Sequence, residues 1–360
     1  MKTILLDAPR FYYVKHNTDI LLRQIFACQM SDAISLPTGV IWSLVYNILS
    51  LTGRVIRRRW INVCASRIRS VFLEWYKPNV VIYQGIAPVL SKRYKTVWET
   101  YYLDETDGCK KIPNFSRDCS DRWVFAMRKY GSKVGAIGVR GGRSVALLKA
   151  HFPEFAGKVF DLGFVKPEYE IASEEETLRK HRSPEEVNVL FVGREAKRKG
   201  LDLVLDACSK LHSDGIRRFR LTIVSNLLNA NFTIPNEDWI TWHRSLPHED
   251  VIGLMKNAHV FIMPSRFESY GLVYQEAMAE GCCVCVRNGE PQMEFVDYGK
   301  AGVVVDVGSA DDIAKKLRQV ILEDQLRSSL AIAGLRRYKN NYSQEVIRKQ
   351  WRTVLDKLNS

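Results

Sequence analysis

Two glutamates, Glu268 and Glu276, stand in the stretch Pro264-Ser-Arg-Phe-Glu-Ser-Tyr-Gly-Leu-Val-Tyr-Gln-Glu-Ala-Met-Ala-Glu-Gly281. A carboxylate only accepts hydrogen bonds, so two of them at one spot would repel a diphosphate but could hold hydroxyl groups. A second constellation could hold the charge. Leu190-Phe-Val-Gly-Arg-Glu-Ala-Lys-Arg-Lys-Gly200 crowds Arg194, Lys197, Arg198 and Lys199 into a few residues. Arg194 can fork onto phosphate oxygens and Lys199 can add a second positive charge. Charge-assisted contacts of this kind are worth roughly 1.5–3 kcal/mol each when partly desolvated. Hydroxyls on one side and a diphosphate on the other make a sugar nucleotide. Read by themselves, the basic residues also fit a solvated loop.

The elements that must position these groups follow from the apolar pattern. His259–Met263 reads as a buried parallel strand that ends at Pro264, and a helix begins near Tyr270 or Gly271. Such a strand, loop and helix point free N–H groups and the positive end of the helix dipole at one spot. Val187–Val192 is the strand before the basic loop, and Gly200–His212 the helix after it. Carboxyl ends of parallel strands are where open α/β sheets bind ligands. Further strands are expected at Phe219–Val224, Trp239–Trp242, Cys282–Val286 and Gly302–Val305. Helices are expected at Pro247–Lys256, Ala310–Leu322, Leu326–Tyr338 and Ser343–Leu358. In the first half, strands are expected at Thr3–Leu6, Asn79–Gln84, Thr96–Glu99, Val134–Val139 and Lys158–Phe164. The alternation predicts two mostly parallel α/β domains. Lys166 to Glu186, polar and acidic, reads as the linker between them.

A chain of 360 residues is long for one core and comfortable for two domains. The net charge of +13 is unevenly placed. Residues 1–165 hold 25 lysines and arginines against 12 acidic residues, and the remainder holds 28 of each. The first half is therefore expected to face something anionic, such as a membrane surface, a lipid phosphate or an acidic polymer. Residues 33–53 carry no charge, but Pro37, Gly39 and Asn47 argue against a membrane span. A core or domain-surface helix is the first reading there, and an interfacial membrane helix the second. Met1-Lys-Thr-Ile-Leu-Leu6 begins directly as a strand, so a cytoplasmic setting is expected, with peripheral membrane contact through the basic half. The 8 cysteines include a single CxxC spacing, Cys282 to Cys285, inside an apolar run. Cys282, Cys283 and Cys285 read as small buried hydrophobes rather than metal ligands. Gly141-Gly-Arg-Ser144 reads as a turn, with an anion nest as the sharper alternative.

Together the charged motifs resemble the retaining, GT-B-fold glycosyltransferases of family 4, glycosyl transferases group 1. The resemblance runs from about Val187 to Leu358. Phe191-Val-Gly-Arg194 with Lys199-Gly-Leu-Asp202 resembles the family's diphosphate-binding segment, and Glu268 through Glu276 its two-glutamate motif. Asn288-Gly-Glu-Pro291 and Gly299-Lys-Ala-Gly302 resemble the next glycine landmarks. The resemblance implies two Rossmann-like domains whose parallel sheets face a central cleft. They would comprise residues 1–165 for the acceptor, a linker at 166–186, and 187–342 for the nucleotide sugar. The helix at 343–360 would cross back to the first domain. It also implies that Arg194 and Lys199 neutralise the leaving diphosphate, Glu268 holds the donor sugar and Glu276 the ribose. Gly193, Ser269, Tyr270, Gly271 and Leu272 would line the donor, and His243 would approach the base. The expected reaction moves a hexose from a UDP- or GDP-linked donor to a hydroxyl of a glycan or lipid-linked acceptor, with retention.

No metal or cofactor is expected beyond the donor itself. The chain has no Asp-x-Asp triplet, and fixed positive charge can neutralise the leaving group instead. The first half departs from the family pattern. Asp7-Ala-Pro-Arg10 replaces its glycine-rich acceptor loop, and Glu99 stands where the family often carries a histidine near the transferred sugar. Asp104 and Glu105 are weaker candidates on the acceptor side. Two other readings stay open: a sugar-nucleotide epimerase on the same fold, and a non-catalytic binder of polyanions. The low density of basic–aromatic clusters argues against nucleic acid as a partner.

Overall fold

The computed structural model describes residues 3–6, 33–36, 80–84, 93, 95–99, 117–163, 170–227, 230–268, 270–289, 291–306 and 310–359. The chain divides into two units, Met1–Glu168 with Ile347–Ser360, and Tyr169–Val346.

The first unit is built on six parallel strands: β1 (Thr3–Leu6), β2 (Ala33–Leu36), β3 (Val80–Gln84), β4 (Lys95–Glu99), β5 (Ala136–Val139) and β6 (Val159–Asp161). Their order is β2-β1-β3-β4-β5-β6. Side chains alternate across the sheet. Val81, Trp98, Ile137 and Val139 pack on one face with Met127 of α1 (Arg117–Tyr130) and Leu148 of α2 (Gly142–His151). Val80, Ile82, Val97 and Ala136 pack on the other, under Ile347, Trp351, Val354, Leu355 and Leu358. Those five lie on the C-terminal helix Gln344–Asn359 at the spacing of one helical face. The first four residues of the uncharged stretch 33–53 form β2 at the sheet edge, a strand the sequence reading did not separate from the expected helix. The rest of that stretch lies outside the described residues, as do Asp7–Arg10, Asp104 and Glu105. Among the described residues no helix is long and apolar enough to cross a membrane.

The second unit opens with α3 (Glu174–His181), inside the segment expected to be linker. The acidic run there is a helix start. Ser173 Oγ accepts from the Glu176 N–H at 3.0 Å, and the Ser173 N–H donates to Glu176 Oε2 at 2.7 Å. This reciprocal capping box, with Arg179 and Lys180 in the last turn, complements the helix dipole at both ends. The sheet follows: β7 (Val187–Val192), β8 (Phe219–Val224), β9 (Ile240–His243), β10 (Val260–Ile262), β11 (Cys283–Arg287) and β12 (Val303–Val305). Its order is β12-β11-β10-β7-β8-β9, all parallel. The connecting helices are α4 (Ala196–Lys199), α5 (Leu201–Ser213), α6 (His248–Asn257), α7 (Leu272–Ala279), α8 (Ala310–Leu322) and α9 (Asp324–Asn341). Cys208, Cys282, Cys283 and Cys285 are buried free thiols. Burial pushes the Cys208 thiol up to about 12 and Cys282 up to about 11, which keeps both unreactive.

From β7 the chain moves to β8 on one side, and it later returns to β10 on the other. The strand order therefore reverses between β7 and β10, and the loops leaving their carboxyl ends diverge there. That is the place where a sheet of this kind opens a crevice for a ligand.

Candidate functional site

Both charged motifs leave the sheet at this switch point. After β7 the chain passes Gly193 and Arg194, makes the single turn of α4, and kinks at Gly200. Gly200 sits at φ +82°, and a Cβ there would lie 2.5 Å from the Pro264 carbonyl oxygen. Only glycine brings the two loops so close. Further bonds tie them. The Arg266 N–H donates to the Arg198 carbonyl at 2.8 Å, and Arg198 Nη1 donates to the Phe267 carbonyl at 2.7 Å. The Arg266 guanidinium forks onto Asp202 at 2.7 and 2.9 Å, and Lys197 reaches the same carboxylate at 2.6 Å. Burial alone would raise the Asp202 carboxyl, but the bonds from Arg266 and Lys197 outweigh it and hold it below the usual carboxylate range. Arg198 also forks onto Glu195.

The four basic residues of the first loop thus divide. Lys197 and Arg198 brace the loops. Arg194 is exposed, with no hydrogen bond or ion pair among the described residues. Lys199 points inward and pairs with Glu268 Oε2, the two side chains being 13% and 9% exposed. Gly193 makes room for the lysine stem, because a Cβ there would stand 2.9 Å from Lys199 Cγ. Burial pushes the Lys199 ammonium down, and the Glu268 charge opposes that.

The second loop is fixed from beneath. Tyr274 Oη donates to the Met263 carbonyl at 2.6 Å, closing the turn after β10. Gly271 takes φ +87° at the start of α7, where a Cβ would meet the Tyr274 ring at 2.6 Å and Glu268 Cγ at 3.1 Å. Leu272 opens the helix. The Tyr270 side chain turns into the core, edge-on to Phe295 at 5.3 Å, with its hydroxyl accepting from Gln275 Nε2 at 2.9 Å. Any part it has toward a ligand falls to its backbone. Ser269 lies outside the described residues, as does Glu290 in the next landmark.

Glu276, 13% exposed, sits in the second turn of α7. Its Oε1 lies 3.3 Å from Nε2 of His248, a residue 48% exposed at the first position of α6. The sequence reading singled out His243 instead. His243 ends β9, half-buried, its carbonyl accepting from the Ser225 N–H at 3.0 Å. The signal for His248 was present: a histidine directly after Pro247 opens a helix, and a helix that follows a parallel strand begins at the ligand edge of the sheet.

In the first unit, Glu99 ends β4, in register with Gln84 and Gly138. Its side chain lies outside the described residues. The Gly141 turn is already filled, since Asp161 Oδ1 accepts from the N–H groups of Gly141 at 3.1 Å and Gly163 at 2.9 Å. The Gly141 N–H that an anion nest would use is therefore taken by Asp161.

Residues 173–337 match the family model described as Glycosyl transferases group 1. The lipopolysaccharide core biosynthesis glycosyltransferase LpsE of Rhizobium meliloti is 26% identical over 44% of this chain and 46% of its own length. The capsular polysaccharide biosynthesis glycosyltransferase CapM of Staphylococcus aureus is 27% identical over 44% of this chain and 42% of its own. The chain thus spans a little under half the length of these curated relatives. Among solved structures, a glycosyltransferase from Rickettsia africae superposes with a TM-score of 0.69, covering 100% of this chain and 99% of its own at 17% identity. The fold is that of the GT-B glycosyltransferases, and its second unit carries the match to glycosyl transferases group 1.

Proposed function

We propose that this protein is a retaining hexosyltransferase of the family 4 kind, moving a sugar from a UDP- or GDP-linked donor to a hydroxyl of a glycan or lipid-linked acceptor. The observation that carries this reading is the meeting of Lys199 and Glu268 at the switch point, beside the start of α7. Breaking a sugar–phosphate bond builds negative charge on the diphosphate and oxocarbenium character on the sugar. Lys199, Arg194 and the first N–H groups of α7 supply fixed positive charge for the first, without a metal ion. Glu268 accepts from the sugar hydroxyls and Glu276 from the ribose. The acceptor oxygen bonds to the anomeric carbon as the bond to phosphate breaks, and its proton passes to the leaving phosphate.

On this reading the Lys199–Glu268 pair opens when the donor enters. The diphosphate takes the lysine, and the glutamate turns to the sugar. The basic excess of residues 1–165 suits an anionic acceptor or the anionic surface that carries one.

Calorimetry with UDP, GDP, ADP and TDP on the wild type and on Glu276→Ala tests the donor site. One nucleotide should bind, and the substitution should weaken it by about tenfold or more, the loss of a buried charged acceptor. Binding of none of the four would overturn the reading and favour a polyanion binder.

A further inference from the structure

The contact between α6 and α7 extends that reading, on which the following inference rests. Glu276 is mostly buried and reaches the ligand edge of the sheet from α7, while His248 meets it from the first position of α6. We infer that His248 is a positioning residue for Glu276, and through it for the ribose of the donor.

The chemistry is that of a carboxylate that must meet a diol. A carboxylate has two oxygens and about four lone-pair directions. To accept from two neighbouring hydroxyls it has to present one face in a fixed orientation, and a glutamate has three side-chain torsions to fix. An imidazole N–H on Oε1 occupies that oxygen and restricts the rotation of the carboxylate about its last bond. The side chain is then ordered before the ligand arrives, so less order is lost on binding. His248 is itself well placed to stay put. Pro247 stands at the N-cap with φ −53°, so the backbone of His248 at the first helical position is set by the start of α6. His243, five residues earlier, cannot replace it, because its backbone is held in the ladder with β8.

The test uses the full chain, the nucleoside diphosphate of the four that binds the wild type, and its 2′,3′-dideoxy counterpart, which lacks both ribose hydroxyls. Variants are His248→Ala and His248→Gln, the glutamine amide being able to donate from about where Nε2 stands. The expected result has three parts. His248→Ala weakens the ribonucleotide about fivefold, from lost preorganisation of one side chain. His248→Gln recovers most of that loss. Neither substitution changes affinity for the dideoxynucleotide. Equal weakening of both nucleotides would make His248 a structural residue of the loop and overturn the inference while leaving the donor site standing. No weakening of either would also overturn the inference and leave the donor site standing. A wild type that binds none of the four nucleotides would remove the donor reading itself, and this inference with it.

Discussion

At the scale of single residues, the site is decided by which charges are already spent. The basic loop offers four cations, and the fold uses two of them, Lys197 and Arg198, to fasten it to the neighbouring loop. Arg194 stays exposed, and Lys199 is held by Glu268. A buried lysine beside a carboxylate competes poorly for a second anion until that carboxylate leaves. Glu268→Gln should therefore tighten binding of the nucleoside diphosphate by about tenfold, since it frees the lysine and removes a negative charge facing the phosphates. The same variant should lose sugar transfer, because an amide is a weaker acceptor for the donor hydroxyls. Titrating the diphosphate and assaying transfer separate the two effects. A loss of affinity for the diphosphate would show that Glu268 and Lys199 act as a single unit instead.

At the scale of elements, α3 shows how much a local pattern can hide. It is fastened to α9 and to the turn after α7 through a buried pair of histidines. Arg327 Nε donates to His181 Nδ1 at 3.1 Å, and His181 Nε2 donates to the Gly281 carbonyl at 2.9 Å. His259 accepts from the Asn188 N–H at 2.9 Å and donates to the Lys180 carbonyl at 3.0 Å. Each ring has one nitrogen that accepts, so both are neutral. Burial, with Arg327 and Lys180 nearby, pushes His181 down to about 3 and His259 down to about 4, from the usual 6.5. The unfolded chain then takes up protons before the folded one as pH falls. Stability is full above about pH 6.5 and drains below it, down to the folded values, at up to about 1.4 kcal/mol per pH unit for each ring. Denaturant unfolding of the second unit should show this slope between pH 6.5 and 4.5. A variant with both histidines replaced by glutamine should lose it, whatever its absolute stability. A flat profile in the wild type would mean that the rings are accessible to protons in the folded state.

At the scale of the molecule, the chain ends in the unit in which it began. The C-terminal helix covers one face of the first sheet, and Trp351 at its centre is buried, with Nε1 donating to the Leu162 carbonyl at 3.1 Å. Trp351→Ala should cost about 3–5 kcal/mol, the range for large-to-small changes in a core, and should act on the first unit alone. Limited proteolysis should then cut the first unit at lower protease concentration than in the wild type, with residues 170–340 still protected. Equal loss of protection in both units would show that they unfold together.

Much of this was legible in the sequence. Apolar runs ending at Gly193 and Pro264 marked two strands and the loops beyond them, and the paired glutamates and the basic cluster marked the chemistry, because period and residue type are local properties. Ser173-Glu-Glu-Glu176 was equally local, yet its acidity read as linker when it was a helix cap. What no local pattern contains is pairing across the sheet. The order β10-β7-β8 brings Lys199 to Glu268 and assigns Lys197 and Arg198 to bracing, and the entry of α6 beside α7 puts His248 rather than His243 against Glu276. The sequence determined which groups could act and on which loops they stand. Only the tertiary structure decided which of them meet, because the residues that meet are separated by 28 to 69 positions and share nothing but the edge of one sheet.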